Sequence, residues 1–557
     1  IGCIKQVKAK LKTIPSFIDS TFTHLRHVMK KLLCLLVLLI PGILKLASAQ
    51  VPGTLDSTFA TNGLQTLKPS SGFDNAYSVH ILPDGKMLIG GASQVTGSSN
   101  WDVIVYRLNT DGGIDSTFGI NGYAYSNYQG YSQYVRTMKV LSDGKLLFVG
   151  GIEDDNFQVD VFATRLNEDG TPDLSFGDNG TVVIPVGSGE DICMAVVEQP
   201  DSKLILAGKS NVPGFIYTNS IVIRMNSDGT LDNDYGTNGI VTLDAGYDYE
   251  SAEDMMLLDD GSLLVSGYVG SNHYDILTFK LTDTGAPDVT FGSNGTAIFN
   301  LNNGDDMAYA ILRSPFDNRI LIGGRVGDGS TKTDFLVMAI TESGLLDSTF
   351  GNNGRASIHI KVNDAGLDLA VQANGRIVLG GTSGAGFATN DFAICRFNDD
   401  GSIDSTFGTN GATLSEVSSF FSDIEDIALQ ADGKIVAAGI AANFNNDMGI
   451  VRYKGDDIAT STDDAMTSAV AAFSAFPNPS AGLFMIQWNA PMKYTGPATL
   501  QLINLQGQAV YEKAYSLHGG MPVIEVNAAD KIYASGVYLL KITAGGIIHR
   551  QPVFIQK

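Results

Sequence analysis

The stretch Asp115-Ser116-Thr117-Phe118-Gly119-Ile120-Asn121-Gly122 decides the fold, because the chain of 557 residues keeps returning to it. Another copy reads Asp404-Ser405-Thr406-Phe407-Gly408-Thr409-Asn410-Gly411. The closing glycine of the phrase falls at Gly63, Gly122, Gly180, Gly239, Gly295, Gly354 and Gly411, so successive copies lie 56 to 59 residues apart. Self-similarity at such a period makes each repeat one supersecondary unit that must bury its apolar faces against its neighbours.

Between two copies the pattern is that of short strands. Ala76 to Leu82 alternates, Pro83-Asp84-Gly85 turns, and Lys86 to Gly91 runs back. Asp102 to Leu108 is a third run, Asn109-Thr110-Asp111-Gly112 turns again, and after the phrase Tyr123-Ala124-Tyr125 forms a short fourth. Asp-Gly between two apolar runs marks a hairpin, since the tight turn needs a positive φ that glycine adopts freely. The first turn recurs as Asp143-Gly144, Asp260-Gly261, Asn374-Gly375 and Asp432-Gly433. Four antiparallel strands per repeat is the content of one propeller blade. The array begins with a spare strand, Leu64 to Leu67, and its last unit has three strands, Ile424–Leu429, Lys434–Gly439 and Met448–Tyr453. The expected fold is therefore all-β: a seven-bladed β-propeller over residues 50–454, closed by its N-terminal strand, which protects sheet edges.

These repeats resemble the delta-60 repeat family of bacterial proteins, over Val51 to Lys454. The resemblance implies a β-propeller and no particular activity, because such folds host enzymes, lectins and protein-binding platforms alike.

The two ends give an address. Met29-Lys30-Lys31, the apolar run Leu32 to Leu46 and Ala47-Ser48-Ala49 have the three parts of a secretory signal peptide over 29–49. Residues 1–28 read as an upstream extension from a misplaced start. The apolar run is too short for a stable span, so the mature chain is expected to have no transmembrane segment. Residues 1–49 hold eight Lys/Arg against one Asp in a chain of net charge −23, so the remainder carries about −30. Such acidity argues against nucleic acid as a partner.

Residues 455–475 are small, polar and acidic, as in a linker. From Phe476 to Lys557 the composition changes to short alternating runs, the pattern of a small Ig-like β-sandwich. Pro477-Asn478-Pro479, Gly482, the turn Asn504-Leu505-Gln506-Gly507, Gly536-Val537-Tyr538 and the terminal Lys557 occur in order. This stretch resembles the type A C-terminal sorting domain of the type IX secretion system of Bacteroidota. That resemblance implies handling by the type IX machinery and an extracellular or surface-attached product.

Chemistry-bearing patterns are sparse. Cys193 and Cys395 sit in strand-like segments of distant repeats and read as buried free thiols. His80, His273 and His359 have no second ligand at zinc spacing, His80 and His359 lie inside strand patterns, and all three read as structural, with no metal site. Asn-x-Asp-Gly-x-x-Asp at Asn109–Asp115, Asn167–Asp173, Asn226–Asp232 and Asn398–Asp404 resembles half a calcium loop without its bidentate glutamate, and reads as a turn. No cofactor is expected, calcium standing as the one alternative. Asp102/Arg107, Asp160/Arg165, Asp391/Arg396 and Asp447/Arg452 frame the third strand five apart, on opposite faces, and are read as ties between blades.

The repeated phrases and Asp-Gly turns share one face of the array, while the opposite face carries loops that differ from unit to unit. A ligand is expected on the variable face. Its aromatic patch is Trp101 with Tyr128, Tyr131 and Tyr134, suited to sugar stacking or a protein hot spot. The expected function is a secreted or cell-surface, non-enzymatic binding module for a glycan or a surface protein. A glycan-processing hydrolase or lyase using channel carboxylates, and a structural surface-coat protein, are the alternatives.

Overall fold

The computed structural model describes residues 51–94, 99–212, 217–302, 304–329, 332–386, 389–456, 473–476, 480, 482–488, 496–504, 509–517, 523–529, 531, 536–544 and 547–555. The upstream extension, the signal peptide, Pro477, Asn478, Pro479, Gly507 and Lys557 lie outside the described residues, as does most of the linker. No helix occurs among the described residues, and none is long and apolar enough to cross a membrane.

Residues 51–456 form four-stranded antiparallel arrays, here units 1 to 7 in chain order. Unit 1 consists of Asp74–Ile81, Met87–Gln94, Trp101–Leu108 and Tyr123–Ser126. Unit 7 consists of Ser422–Leu429, Ile435–Ala442 and Asn446–Tyr453, and its outer strand is Leu64–Leu67 from the start of the array. Leu64 lies opposite Val451 and Leu67 opposite Met448, as the spare strand predicted. Single parallel bridges, Thr218 to Tyr249 and Thr333 to Asn363, also join units 3 to 4 and 5 to 6.

The period of two explains why the units stack. Along Trp101–Leu108, Val103 and Val105 enter a core shared with unit 2, whereas Ile104 and Tyr106 enter one shared with unit 7. Strands buried on both faces read as continuous apolar runs, as these do. A hydrophobic cluster lies at each step between consecutive units, and Met87, Ile89, Val436 and Ile450 belong to the one between units 1 and 7.

The repeated phrase is the joint at each step. In unit 2, Arg165 Nε donates to Asp173 at 2.7 Å and the guanidinium sits 4.4 Å from the Phe176 ring centroid. Arg165 Nη1 donates to the Ser227 carbonyl of unit 3, and Gly177 N to that of Asp228. The pattern recurs between units 7 and 1. Arg452 binds Asp56 at 2.9 Å, lies 4.7 Å from the Phe59 ring and donates to the Thr110 carbonyl. Gly112 shows why the turn needs its glycine: φ is +86°, and a Cβ there would come within 2.6 Å of Phe59. Units 4 and 5 depart from the pattern: Lys280 replaces the arginine on Asp288, and in unit 5 the arginine is Arg319, just before the second strand, on Asp347 and Phe350 with a bond to the Asp399 carbonyl.

The third-strand arginines thus pair with the aspartate that opens the phrase, and their framing aspartates have a different role. Asp102 accepts from Asn127 and Asp447 from Lys68, which holds the end of the fourth strand against the third.

The C-terminal segment contains two sheets. Phe473–Phe476, Leu483–Trp488 and Val523–Asn527 form one. In the other, Gly496–Ile503 pairs with Ala509–Leu517 and Gly536–Ala544, which pairs in turn with Ile547–Ile555. Phe484, Ile486 and Val526 share a core with Leu500, Leu502, Leu540 and Ile542. The first strand begins three residues inside the span read as linker. At the linker's other end, Asp456 closes an ion pair with Arg396 at 3.0 Å and so serves the seven-unit array.

Phe176 is fully buried, while Leu174 two residues earlier is 74% exposed. Phe176→Ala is expected to cost about 3–5 kcal/mol in urea unfolding and Leu174→Ala within about 0.5 kcal/mol. Equal effects would show that the phrase does not make the joint.

Candidate functional site

The second-to-third and fourth-to-next-first loops share the variable face, and structure places the expected aromatic patch there. Trp101 opens the third strand of unit 1 with Phe73 at 6.4 Å between ring centroids. Trp101, Tyr128 and Tyr131 are partly buried and pack against the core between units 1 and 2. The Tyr128 hydroxyl donates to Asp178 at 3.3 Å, and that of Tyr134 donates to Glu153. These four side chains therefore brace loops as well as lining the face.

The more exposed rings on this face are others. Phe157 is 84% and Phe444 94% exposed, and Phe444 meets Phe420 edge-on at 5.8 Å. Phe73, Tyr217, Tyr247 and Phe420 are each more than a third exposed. On the side of units 3 to 5 the contacts Tyr217–Tyr249, Tyr249–Tyr274, Tyr274–Tyr268 and Tyr268–Tyr309, at 5.2 to 6.5 Å, form a ladder of rings. It runs from a surface loop to the innermost strand of unit 5, Met307–Arg313.

Each innermost strand carries a β-bulge at the equivalent place. A bulge re-aims one side chain out of the alternation. The bulged residues are Arg136, Glu253 and Glu425, the phenols Tyr77 and Tyr309, and the apolar Met194 and Leu367. The Arg136 charge acts on Tyr77, Glu253 and Glu425 from three other units, which sets these residues around a common central space.

The residue after the bulge ties one unit to the next. Asp254 accepts from Ile311 N at 2.8 Å, Asp368 from Ile427 N at 2.9 Å, and Asp426 from Val79 N at 2.7 Å. Ser78 does the same for Met138 N. Burial pushes Asp254 up to about 7 against the bonds from the Ile311 and Met255 amides. Burial, with Asp423 nearby, takes Glu425 to about 7 against the pull of Arg136. Asp368 and Asp426 hydrogen-bond each other, and burial raises both. His80 faces Lys139 and is pushed down to about 4 by burial and that charge.

Of the histidines, His359 departs from expectation. It follows the strand Arg355–Ile358 instead of lying within it, is exposed, and its Nδ1 is 2.7 Å from Asp334. Asp334, His359 and Asp364 can each offer one ligand atom within 4.8 Å of the others. The Asp364 carboxylate already accepts from Ile360 N, Lys361 N and Ser383 Oγ, and His359 fills the position held by Asn127 in unit 1. Similar buried loop-tying carboxylates, Asp74, Asp191, Glu250 and Asp306, open other innermost strands.

In the calcium-like loops, Asp111 accepts from Gly113 N, Asp169 from Thr171, and Asp115 binds Lys86 and Arg107. The Lys86 bond, with help from Thr117, holds Asp115 well below the usual carboxylate range. Cys193 and Cys395 are buried free thiols, as expected. A cavity of about 600 Å³ between units 5 and 6, bordered by Asn302, Arg355 and Asp400, lies at the repeated phrases and away from the bulged residues. Of the sorting residues, Gly482 and Gly536 are described; Gly482 has a φ of +86°, with Ala528 and Ala529 packed against it.

The repeats and the tail define an all-β chain of β-propeller type that carries a secretion signal at its C-terminal side. Residues 82–118, 141–176, 199–235, 372–407 and 430–457 match the β-propeller domain of unknown function DUF5122, and 474–556 match the secretion system C-terminal sorting domain. Five stretches of the repeats are thus similar to that family, and the tail indicates export through the type IX secretion system to the cell surface or beyond. A search of curated proteins returns no match. Solved structures with some similarity include the α-L-arabinofuranosidase Arb93A from Fusarium graminearum, at 12% identity, TM-score 0.32, covering 59% of this chain and 96% of that one. The Pyrococcus horikoshii acylaminoacyl peptidase aligns at 12% identity and TM-score 0.32, covering 76% and 59%. The β-xylosidase/α-arabinofuranosidase CoXyl43 from a compost metagenome aligns at 12% and 0.26, covering 57% and 97%. Alignments this weak carry no argument.

The central carboxyl groups set a pH dependence. A group raised on folding contributes stability that is present below its unfolded value and lost as pH rises through its folded value. Asp254 and Glu425, raised to about 7, therefore lose their contribution between about pH 4 and 7. Asp288, held at about 2 chiefly by Thr290 and Lys280, contributes above its unfolded value and loses that on acidification. Thermal stability is expected to peak near about pH 4–5 and to fall toward pH 8, and Asp254→Asn should flatten the fall. A midpoint that rises steadily to pH 8 would contradict this.

Proposed function

We propose that the seven units are the blades of a closed β-propeller and that the C-terminal sheets form an Ig-like sorting domain. The mature chain, beginning at Gln50 after signal-peptide removal, is a secreted or surface-displayed binding module. The recurrence of the joint between units 7 and 1 supports closure, because Phe59, Arg452 and Thr110 repeat what Phe176, Arg165 and Ser227 do internally. The ligand site lies on the variable face, around Trp101, Tyr128, Tyr131 and Tyr134 and the exposed rings near them.

One observation carries the binding reading. Phe73, Phe157, Tyr217, Tyr247, Phe420 and Phe444 are exposed on loops of one face, whereas the exposed large side chains at the repeated turns and phrases are aliphatic, such as Ile120, Leu174, Val289 and Leu345. Aromatic rings that are only partly braced, over a polar rim, suit stacking against sugar rings or a protein hot spot. A glycan is the ligand class favoured here. The raised carboxyls of Glu253 and Glu425, on both of which the Arg136 charge acts, favour a second reading, a glycan-processing hydrolase or lyase, since raised carboxyls can perform general acid–base work.

The full chain on a polysaccharide array, with calcium and with EDTA, tests both readings. Discrete binding is expected, weakened at least about tenfold by Phe157→Ala or Phe444→Ala with an unchanged melting temperature. An array that stays blank would sink the glycan reading. Release of sugar that stops in Glu425→Gln would replace the binding module with the enzyme.

A further inference from the structure

The charge distribution singles out the central space. The array is strongly acidic, and most of its cations are held in ion pairs, Arg107, Arg165, Arg224, Arg319, Arg396 and Arg452 among them. Arg136, Lys139, Lys209 and Arg325 take part in no ion pair among the described residues. Arg136 and Lys139 stand on the innermost strand Ser132–Val140, and both are exposed. Lys209 and Arg325 occupy equivalent places on the second strands of units 3 and 5, as Tyr268 does in unit 4, opposite Ile192, Met307 and Ser251 of the innermost strands. Arg325 Nη2 contacts Met307 Sδ at 2.8 Å, and its buried Nε has no hydrogen-bond partner.

The acids of the bulged segments are mostly committed elsewhere, and burial raises Glu425 against the pull of Arg136. Asp254, Asp368 and Asp426 cap amides of the next unit, and Glu253 accepts from Ser251 Oγ at 2.5 Å. An exposed guanidinium without a carboxylate is a planar fork that matches an incoming carboxylate with two parallel bonds. Carboxyl groups that keep a proton near neutral pH donate to such an anion instead of repelling it. Tyr309 and Tyr268 stand at the inner end of the ring ladder, where the Arg325 charge acts on Tyr309.

We propose that the central space, entered from the variable face along the tyrosine ladder, binds an acidic saccharide, with Arg136 holding the ring carboxylate and Tyr268 and Tyr309 stacking on the sugar. This rests on the binding reading above and names its ligand class: a uronic-acid-bearing glycan. The overall acidity of the surface slows approach of such a polymer and makes capture depend on these cations, so affinity discriminates against anions that cannot also stack.

The test is calorimetric titration of the full chain with a galacturonic acid trisaccharide and with its neutral galactose counterpart. The acidic sugar is expected to bind at least about tenfold more tightly. Arg136→Gln should remove at least about tenfold of that affinity at an unchanged melting temperature, and Arg136→Lys should recover part of it. Equal binding of the two sugars, or an Arg136→Gln variant that binds the acid as before, would overturn the proposal while leaving a binding face intact. If neither sugar binds and the array is also blank, the proposal and the glycan reading fall together.

Discussion

The structure depends on one contact made in six of the seven units: an arginine laid on the phrase's aromatic ring, which fills the space left by a glycine of the next unit. Each partner needs the others. The guanidinium is held by the opening aspartate of the phrase and spends a second N–H on the neighbouring turn, as Arg165 does with Asp173 and Ser227. Its neutralisation lets a charge sit almost fully buried, 5% exposed at Arg165 and 0% at Arg396. A buried ion pair is not stabilising merely by existing, because desolvation offsets attraction. Here it specifies register, since the Nη1 of Arg165, Arg224 and Arg452 each donates to a turn carbonyl of the next unit.

That contact accounts for the letters that look like a calcium loop. The aspartate and glycine of each turn are used by the turn itself and by the ring of the preceding unit, as at Asp111 and Gly112 against Phe59. With the joint placed on one face, that face has little freedom to vary. The loops on the other face have no such duty, and they carry the aromatic rings.

The period of the phrase, the Asp-Gly turns and the spare strand Leu64 to Leu67 made the strand order legible in the amino-acid sequence, because they depend on local turn chemistry and on counting. The partner of the third-strand arginine was not. Arg107 and Asp115 are eight residues apart across a turn, and nothing in a strand's alternation brings them together. The central residues were hidden for a different reason. A bulge is a feature of register, visible only once the second strand is in place, and the bulged positions hold Tyr77, Arg136, Met194 and Glu253 in successive units with no common chemistry. His359 was placed in a strand because it extends an alternating run by one residue, and it lies just past the strand's end. Trp101, Tyr128, Tyr131 and Tyr134 were legible as a cluster on the variable face, but the more exposed rings, Phe157 and Phe444, stand alone in polar loops and give no pattern.

Two electrostatic regimes follow from the same architecture. At the rim, aspartates are held ionised by lysine and arginine, as Asp115 is by Lys86 and Arg107. On the first strands of the units, half-buried carboxyl groups such as Asp254 are pushed up by burial and cap backbone amides across the joints. The central claim is that the joint between units 7 and 1 equals those inside the array. Native-state hydrogen exchange tests it most directly, comparing the Ala60 amide, bonded to Asp111, and the strand Leu64–Leu67 with the Gly177 amide, bonded to Asp228. Exchange of all of them only through global opening is the predicted result. Exchange at Ala60 and along Leu64–Leu67 that is faster by orders of magnitude than at Gly177 would contradict the account.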